Sequence, residues 1–97
     1  MVCHLVFYRM KPETTEADAD YLVREARGRL CRLTGVCNLK AGKNIDKSGE
    51  YRVALSMDFE DEAALETHRV HPDHQAFVNN IAQPLISEVW RYDFWWE

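Results

Sequence analysis

The chain has 97 residues, of which 46% are hydrophobic and 29% are charged, and its formal net charge is -4. This size and composition predict a single folded domain, residues 1–97, rather than a disordered segment. The negative charge argues against nucleic-acid binding, which requires a basic surface. No segment approaches the roughly 18 apolar residues of a membrane span, and no secretory leader is recognisable. We therefore expect a cytoplasmic protein that binds neither nucleic acid nor membrane.

The three cysteines, Cys3, Cys31 and Cys37, give no sign of a disulfide framework. Their number is odd and their spacing irregular, whereas small disulfide-bonded domains carry an even number at regular intervals. We expect reduced and mostly buried thiols, which agrees with a cytoplasmic location.

The first half of the chain predicts a strand, a helix and a weaker strand. Residues 2–10 (VCHLVFYRM) are β-branched and aromatic and apolar on both faces, as in a covered strand. Thr15 and Asp18 form a capping-box pattern at the start of a helix, and Gly35 is a plausible stop. Residues 36–45 (VCNLKAGKNI) read as a half-polar edge strand before a turn at 46–49. The predicted buried stripe of the helix is Leu22, Val23, Ala26, Leu30 and Leu33.

The second half predicts a strand, two helical stretches and a final strand. Residues 51–59 alternate cleanly in polarity. A short helix begins near Glu60 or Asp61, and residues 71–83 form the second helical stretch. In the strand, Tyr51, Val53, Leu55, Met57 and Phe59 are predicted to face one side, and Arg52, Ala54, Ser56 and Asp58 the other. The last strand, residues 85–97, should carry Trp90, Tyr92, Phe94 and Trp96 on one face.

The element order β-α-β-β-α-β predicts an α+β fold of the ferredoxin-like type. In this fold a four-stranded antiparallel sheet has its helices on one face. The other face here is apolar at the first and last strands, so it needs a partner. The simplest partner is a second copy packed sheet against sheet, so the sequence predicts a homodimer.

Residues 66–77 (ETHRVHPDHQAF) contain His68, His71 and His74. Pro72 favours the first position of a helix, so His71 should be its cap. The break at Pro72 prevents the imidazoles from converging on one ion, and no metal site is expected. One interpretation is structural, with His71 as the cap and with His68 and His74 half-buried and hydrogen-bonded.

The alternative interpretation is catalytic. His74 lies in the first turn of a helix, whose dipole opposes protonation and keeps the imidazole neutral. A neutral imidazole beside an apolar pocket is a competent general base. His4, on the first strand, could point into the same pocket, with Tyr8 as a further helper. The predicted lining of the pocket is Val6, Tyr8, Val23, Ala26, Val53, Leu55, Met57, His71 and Phe77.

Four segments carry a resemblance to a known family: VCHLVFYRMKP (2–12), GVCNLKAGKN (35–44), FEDEAALETHRVHPDHQAF (59–77) and VWRYDF (89–94). The early histidine combined with HPxH is the specific part. The sequence resembles the stress-responsive A/B barrel domain family, of the dimeric α+β barrel superfamily. The resemblance implies a ferredoxin-like fold and a homodimer whose sheets pack into a barrel. We expect no cofactor.

Most members of that family have no assigned reaction. One branch resembles plant polyketide cyclases, which close a linear polyketide by aldol chemistry in the pocket between sheet and helices. The catalytic histidine of that branch matches His74 and its pocket histidine matches His4, whereas His68 occupies the position of the catalytic tyrosine. Cofactor-free monooxygenases are more distant relations. We therefore predict a dimer that binds a small hydrophobic molecule, and alternatively a cofactor-independent enzyme with His74 as base.

Overall fold

The computed structural model describes residues 1–96, so the last residue of the predicted final strand, Glu97, lies outside the described residues. The sheet is antiparallel, with the strand order β2-β3-β1-β4. Its strands are β1 (Val2–Met10), β2 (Cys37–Lys43), β3 (Tyr51–Phe59) and β4 (Ile86–Trp95). The predicted ferredoxin-like arrangement is confirmed, with β2 at an edge.

The helices are α1 (Glu16–Leu30), α2 (Glu62–Val70) and α3 (Pro72–Ala76), and α3 continues into a π-helical segment, Phe77–Ala82. In that segment the Gln83 N–H donates to the Val78 carbonyl, 2.9 Å away and five residues earlier. The second helical stretch was predicted, but its π geometry was not, because side-chain periodicity does not separate α from π hydrogen bonding over so few residues.

Side chains define where each helix begins. Thr15 and Asp18 form the predicted capping box of α1. The His71 Nδ1 accepts from the Asp73 N–H at 3.0 Å, so His71 caps α3 as predicted. The cap of α2 is Asp61, and the helix therefore begins at Glu62 rather than at Glu60 or Asp61. α1 ends at Leu30, before Leu33, the last residue of the predicted buried stripe. In the turn that follows, Gly35 has a left-handed backbone conformation (φ +91°).

The core lies between the sheet and the helices. α1 contributes the predicted Leu22, Ala26 and Leu30, whereas Val23 is only half-buried. Leu33 is buried in the turn after the helix. The strands contribute inward-facing residues of β1 and β3, among which Phe59 is fully enclosed. The remaining members of the core are Val2, Val6, Tyr8, Ala19, Val53, Leu55, Met57, Leu65, Phe77, Ile81 and Ala82.

An irregularity in the β1–β3 pairing corrects the predicted faces of β3. Tyr8 pairs with Val53 but Arg9 pairs with Tyr51, so Arg52 is an extra residue in the ladder. Such a bulge reverses the alternation beyond it. Tyr51 therefore lies on the face away from the helices, where its ring is 6.4 Å from that of Trp90. Arg52 turns instead toward Glu16 of α1, at 3.0 Å.

The face of the sheet without helices, which we call the open face, is apolar. The predicted aromatic row along β4 is formed by Trp90, Tyr92, Phe94 and Trp96. The centroids of successive rings in this row are 5.7, 6.1 and 6.3 Å apart. These rings are roughly half-exposed. The remaining apolar side chains of the open face are Leu5, Phe7, Tyr51 and Ala54. The bulge places a tyrosine where the sequence predicted an arginine, which makes this face more apolar than expected.

The cysteines are all free, but the prediction that most are buried is wrong. Cys3 is buried on β1, whereas Cys31 and Cys37 are exposed. Cys31 follows the last turn of α1 and Cys37 begins an edge strand, and neither position is covered by another element. Across residues 1–96, no helix is long and apolar enough to span a membrane.

Candidate functional site

Three of the four histidines gather between the sheet and the helices. His4 lies on β1, His68 in the last turn of α2 and His74 on α3. The ring centroids of His68 and His74 are 4.4 Å apart, and those of His4 and His68 are 6.4 Å apart. His71 is not part of this cluster, because its ring caps α3. The break at Pro72 does not separate His68 from His74, because their rings are in contact across it.

His4 is oriented by a residue that the sequence analysis missed. Asp93 lies directly opposite His4 in the β1–β4 pairing. The His4 Nδ1 donates to the Asp93 Oδ1 at 2.5 Å. A carboxylate only accepts, so Nδ1 carries a proton, and in a neutral ring the lone pair is then on Nε2. Asp93 could be identified only from the register of two strands almost ninety residues apart.

His74 has its ring fixed by a backbone contact. Its Nδ1 donates to the Arg69 carbonyl at 3.2 Å, which leaves the lone pair on Nε2. Burial lowers the pKa of His74, and the hydrogen bond to Arg69 opposes this only partly. The charges of His4, Arg91 and Arg69 lower the pKa further. The ring is therefore neutral at pH 7, as predicted, but burial is the main cause rather than the dipole of the five-residue α3.

His68 differs from the prediction of a half-buried, hydrogen-bonded side chain. It is 1% exposed, and neither ring nitrogen has a hydrogen-bond partner among the described residues. Its neighbours are Phe59, at a centroid distance of 5.0 Å, and the rings of His74 and His4. Burial lowers the pKa of His68 to about 4, and His74, His4 and His71 add to the effect. His68 is thus a neutral aromatic ring of the core.

A cavity of about 40 Å³ adjoins this cluster. Both His4 and His74 line it, so the two imidazoles face one common space. Most of its wall is apolar and comes from β1, β3, β4, the end of α1 and the π-helical segment. The lining residues are His4, Val6, Tyr8, Leu30, Leu55, Met57, His74, Val78, Ala82, Gln83, Ile86, Val89 and Arg91.

The cavity includes some of the predicted lining and not the rest. Val6, Tyr8, Leu55 and Met57 line it. Ala26, Val53 and Phe77 are packed into the core elsewhere, Val23 is half-buried on α1, and His71 caps α3. These five do not line the cavity, whose wall is completed instead by residues of the π-helical segment and of β4.

Tyr8, Gln83 and Arg91 are the polar residues of the cavity wall besides the histidines. Burial raises the pKa of Tyr8 to about 12, and the nearby Arg91 opposes this rise. The phenol is therefore neutral at pH 7 and can donate a hydrogen bond. Arg91 was not predicted as a site residue. Alternation along β4 places it opposite the aromatic row, but only the pairing with Val6 of β1 brings it to the cavity. Within residues 1–96, no group of three His, Cys, Asp or Glu side chains is arranged to hold a metal ion.

The fold defines a ferredoxin-like α+β domain with a small histidine-lined cavity under its helices. Residues 2–96 match the family described as "Stress responsive A/B Barrel Domain". The chain belongs to this family, as its sequence predicted. A comparison with curated proteins finds no significant match.

Solved structures share the fold over nearly the whole chain. A Dabb family protein with a ferredoxin-like fold from Mesorhizobium loti is 26% identical, with 96% of this chain and 93% of that chain covered and a TM-score of 0.82. A dimeric ferredoxin-like protein of unknown function from Thermobifida fusca is 19% identical, with 96% and 88% covered and a TM-score of 0.83. A hydroxynitrile lyase from Passiflora edulis is 16% identical, with 96% and 90% covered and a TM-score of 0.79.

Proposed function

We propose that this protein is a homodimeric small-molecule-binding domain whose ligand occupies the cavity between the sheet and the helices. The observation that carries the proposal is the convergence of His4 and His74 on one space with otherwise largely apolar walls. Ligand sites have this composition, with an apolar surface for the body of the ligand and a few placed polar groups for its orientation. In this account each ligand has an apolar body and one polar end.

The size of the cavity limits the ligand. Drug-sized ligands occupy about 300–1,000 Å³, whereas this cavity measures about 40 Å³. It has room for a few non-hydrogen atoms, or for one end of a larger molecule. The π-helical segment supplies Val78 and Ala82 to the wall, and π-helical turns are frequent at functional sites. A ligand of the polyketide class would fit only if this segment moved outward.

The open face supports the dimer. Monomers seldom expose a contiguous apolar patch as large as the row of four aromatic rings together with Leu5 and Phe7. The Thermobifida fusca protein is described as dimeric, and the same surface is available for that assembly here. We place the dimer in the cytoplasm, where the exposed Cys31 and Cys37 would remain reduced.

The binding proposal is tested by NMR titration of the ¹⁵N-labelled protein with benzyl alcohol and hexan-1-ol. The expected result is a set of saturable shifts confined to residues that line the cavity. Ala82→Val adds two methyl groups to the wall and should abolish these shifts, whereas Ala17→Val makes the same change at an exposed position of α1 and should preserve them. Shifts that are absent, or that map to another surface, would contradict the proposal.

A second candidate function, a cofactor-independent enzyme, is favoured by the tautomers of the two histidines. Hydrogen bonds to Arg69 and Asp93 leave the Nε2 lone pairs of His74 and His4 available as bases. With a hydroxynitrile, the His74 Nε2 would take the hydroxyl proton while the bond to the nitrile carbon breaks. Cyanide would then leave with the bonding pair and receive the proton, and an aldehyde or ketone would remain. An aldol closure would use the same base on a C–H bond.

For this candidate we expect His74→Gln to lower cyanide release from a small hydroxynitrile by about 100-fold or more, the usual effect of losing a general base. The glutamine amide can still donate to the Arg69 carbonyl, so the melting temperature should change by only a few degrees. The control is His71→Asn, which removes a histidine but keeps a capping side chain. Equal rates in His74→Gln and the unmodified protein would exclude His74 as the base.

A further inference from the structure

Arg91 is a cation in the wall of the cavity. It lies opposite Val6 in the β1–β4 pairing, on the side of the sheet that faces the helices, and its side chain forms part of the cavity wall. Arg9, Arg52 and Arg69 each approach a carboxylate within 4.0 Å. Within the described part of the chain, Arg91 approaches none. Its guanidinium is therefore free to bind an anion.

The residues that line the cavity favour a negative ligand. Its lining contains Arg91, two histidines, Tyr8 and Gln83, but no aspartate or glutamate. The nearest acidic residue along β4, Asp93, is hydrogen-bonded to His4. Arg91 also lowers the pKa values of both Tyr8 and His74, so its charge acts within the cavity and not only in solvent.

We propose that the ligand carries a carboxylate, which Arg91 binds at the rim of the cavity, while its apolar part lies inward against Val6, Leu55 and Val78. This inference rests on the proposed function and specifies its ligand class. A planar guanidinium presents two parallel N–H donors to a carboxylate, a geometry that an alcohol cannot use. Tyr8, as a neutral phenol, and the Gln83 amide supply further donors without adding charge. One fixed cation matches one carboxylate.

The partial exposure of Arg91 limits the size of the effect. Its guanidinium is at the rim and solvent screens it, so the pairing energy is smaller than for an enclosed ion pair. We expect a carboxylate to bind about tenfold more tightly than the alcohol with the same carbon chain at low salt. The preference should shrink as the ionic strength rises, because screening weakens an ion pair at the surface.

The experiment compares butanoate and hexanoate with butan-1-ol and hexan-1-ol by NMR titration of the whole protein. In Arg91→Gln the carboxylates should lose their tenfold advantage while the alcohols bind unchanged. Arg24→Gln removes the same charge from an exposed position on α1, where Arg24 contacts the Tyr21 ring, and should leave both series unaffected. A second replacement, Arg91→Lys, keeps the charge without the planar fork and should retain part of the preference.

The outcomes separate the inference from the proposed function. If alcohols and carboxylates bind the cavity equally, or if Arg91→Gln weakens both to the same degree, the carboxylate inference is wrong and small-molecule binding stands. If neither series shifts the residues of the cavity, both proposals are wrong. A carboxylate preference that persists in Arg91→Gln would assign the anion to another group and also overturn the inference.

Discussion

Replacing His68 with phenylalanine is expected to make the folded protein more stable in acid than the wild type. The unpartnered ring of His68 is neutral in the folded protein, since burial lowers its pKa from 6.5 to about 4. In the unfolded chain the same ring is protonated below about pH 6.5. Between these values the unfolded state binds more protons, so the free energy of unfolding falls as the pH falls. The full contribution of His68 is about 3 kcal/mol.

The measurement is urea unfolding of the wild type and of His68→Phe from pH 7 to pH 4. The difference in unfolding free energy between them should change by about 3 kcal/mol over this range, in favour of the variant in acid. Phenylalanine is larger than histidine, and overpacking shifts the comparison at neutral pH, but it does not alter the pH dependence. His68→Leu, which has a different shape, should flatten the profile equally. Parallel profiles for wild type and both variants would show that His68 has a partner or is charged when folded.

Placing a charge at the centre of the open face is expected to convert the proposed dimer into monomers. Phe7 lies on β1 between Ala54 of β3 and Trp90 of β4. In Phe7→Glu each protomer would bring a carboxylate into an apolar interface, where an unpaired buried charge costs several kcal/mol. The dissociation constant should rise by about 1,000-fold or more, which corresponds to about 4 kcal/mol.

Sedimentation velocity over a concentration series measures this change. Val70→Glu is the matched control, because it introduces the same charge at an exposed apolar residue on the helix side. Circular dichroism establishes that each variant is folded, and Trp90→Glu provides a second charge on the open face if Phe7→Glu does not fold. A wild type that sediments as a monomer at micromolar concentration, or dimers that persist in both open-face variants, would contradict the assembly.

Local signals in the sequence predicted the elements well. The capping residues Thr15 and His71, the proline at the start of α3 and the alternation of β4 each depend on a few neighbouring residues. These signals follow from hydrogen bonding and side-chain direction within one element. For this reason the order of the elements, the edge position of β2 and the aromatic row agree with the structure.

Pairing between distant strands was not predictable in the same way. The bulge that exchanges the faces of Tyr51 and Arg52 leaves no trace in the alternation of β3, because it arises from the register against β1. The contact of Asp93 with His4 depends likewise on the register of β4. The volume of the cavity follows from how the π-helical segment packs against the sheet, which no periodicity reports. The sequence therefore identified His4 and His74 as candidates but missed Arg91.

We propose that two copies of this chain associate and that each holds a small molecule beneath its helices. Native mass spectrometry of the protein purified from the organism that encodes it measures both properties at once. We expect the mass of a dimer carrying one small molecule per chain, with the added mass absent in Ala82→Val. The mass of a single chain, or a dimer with no added mass in the wild type, would contradict it.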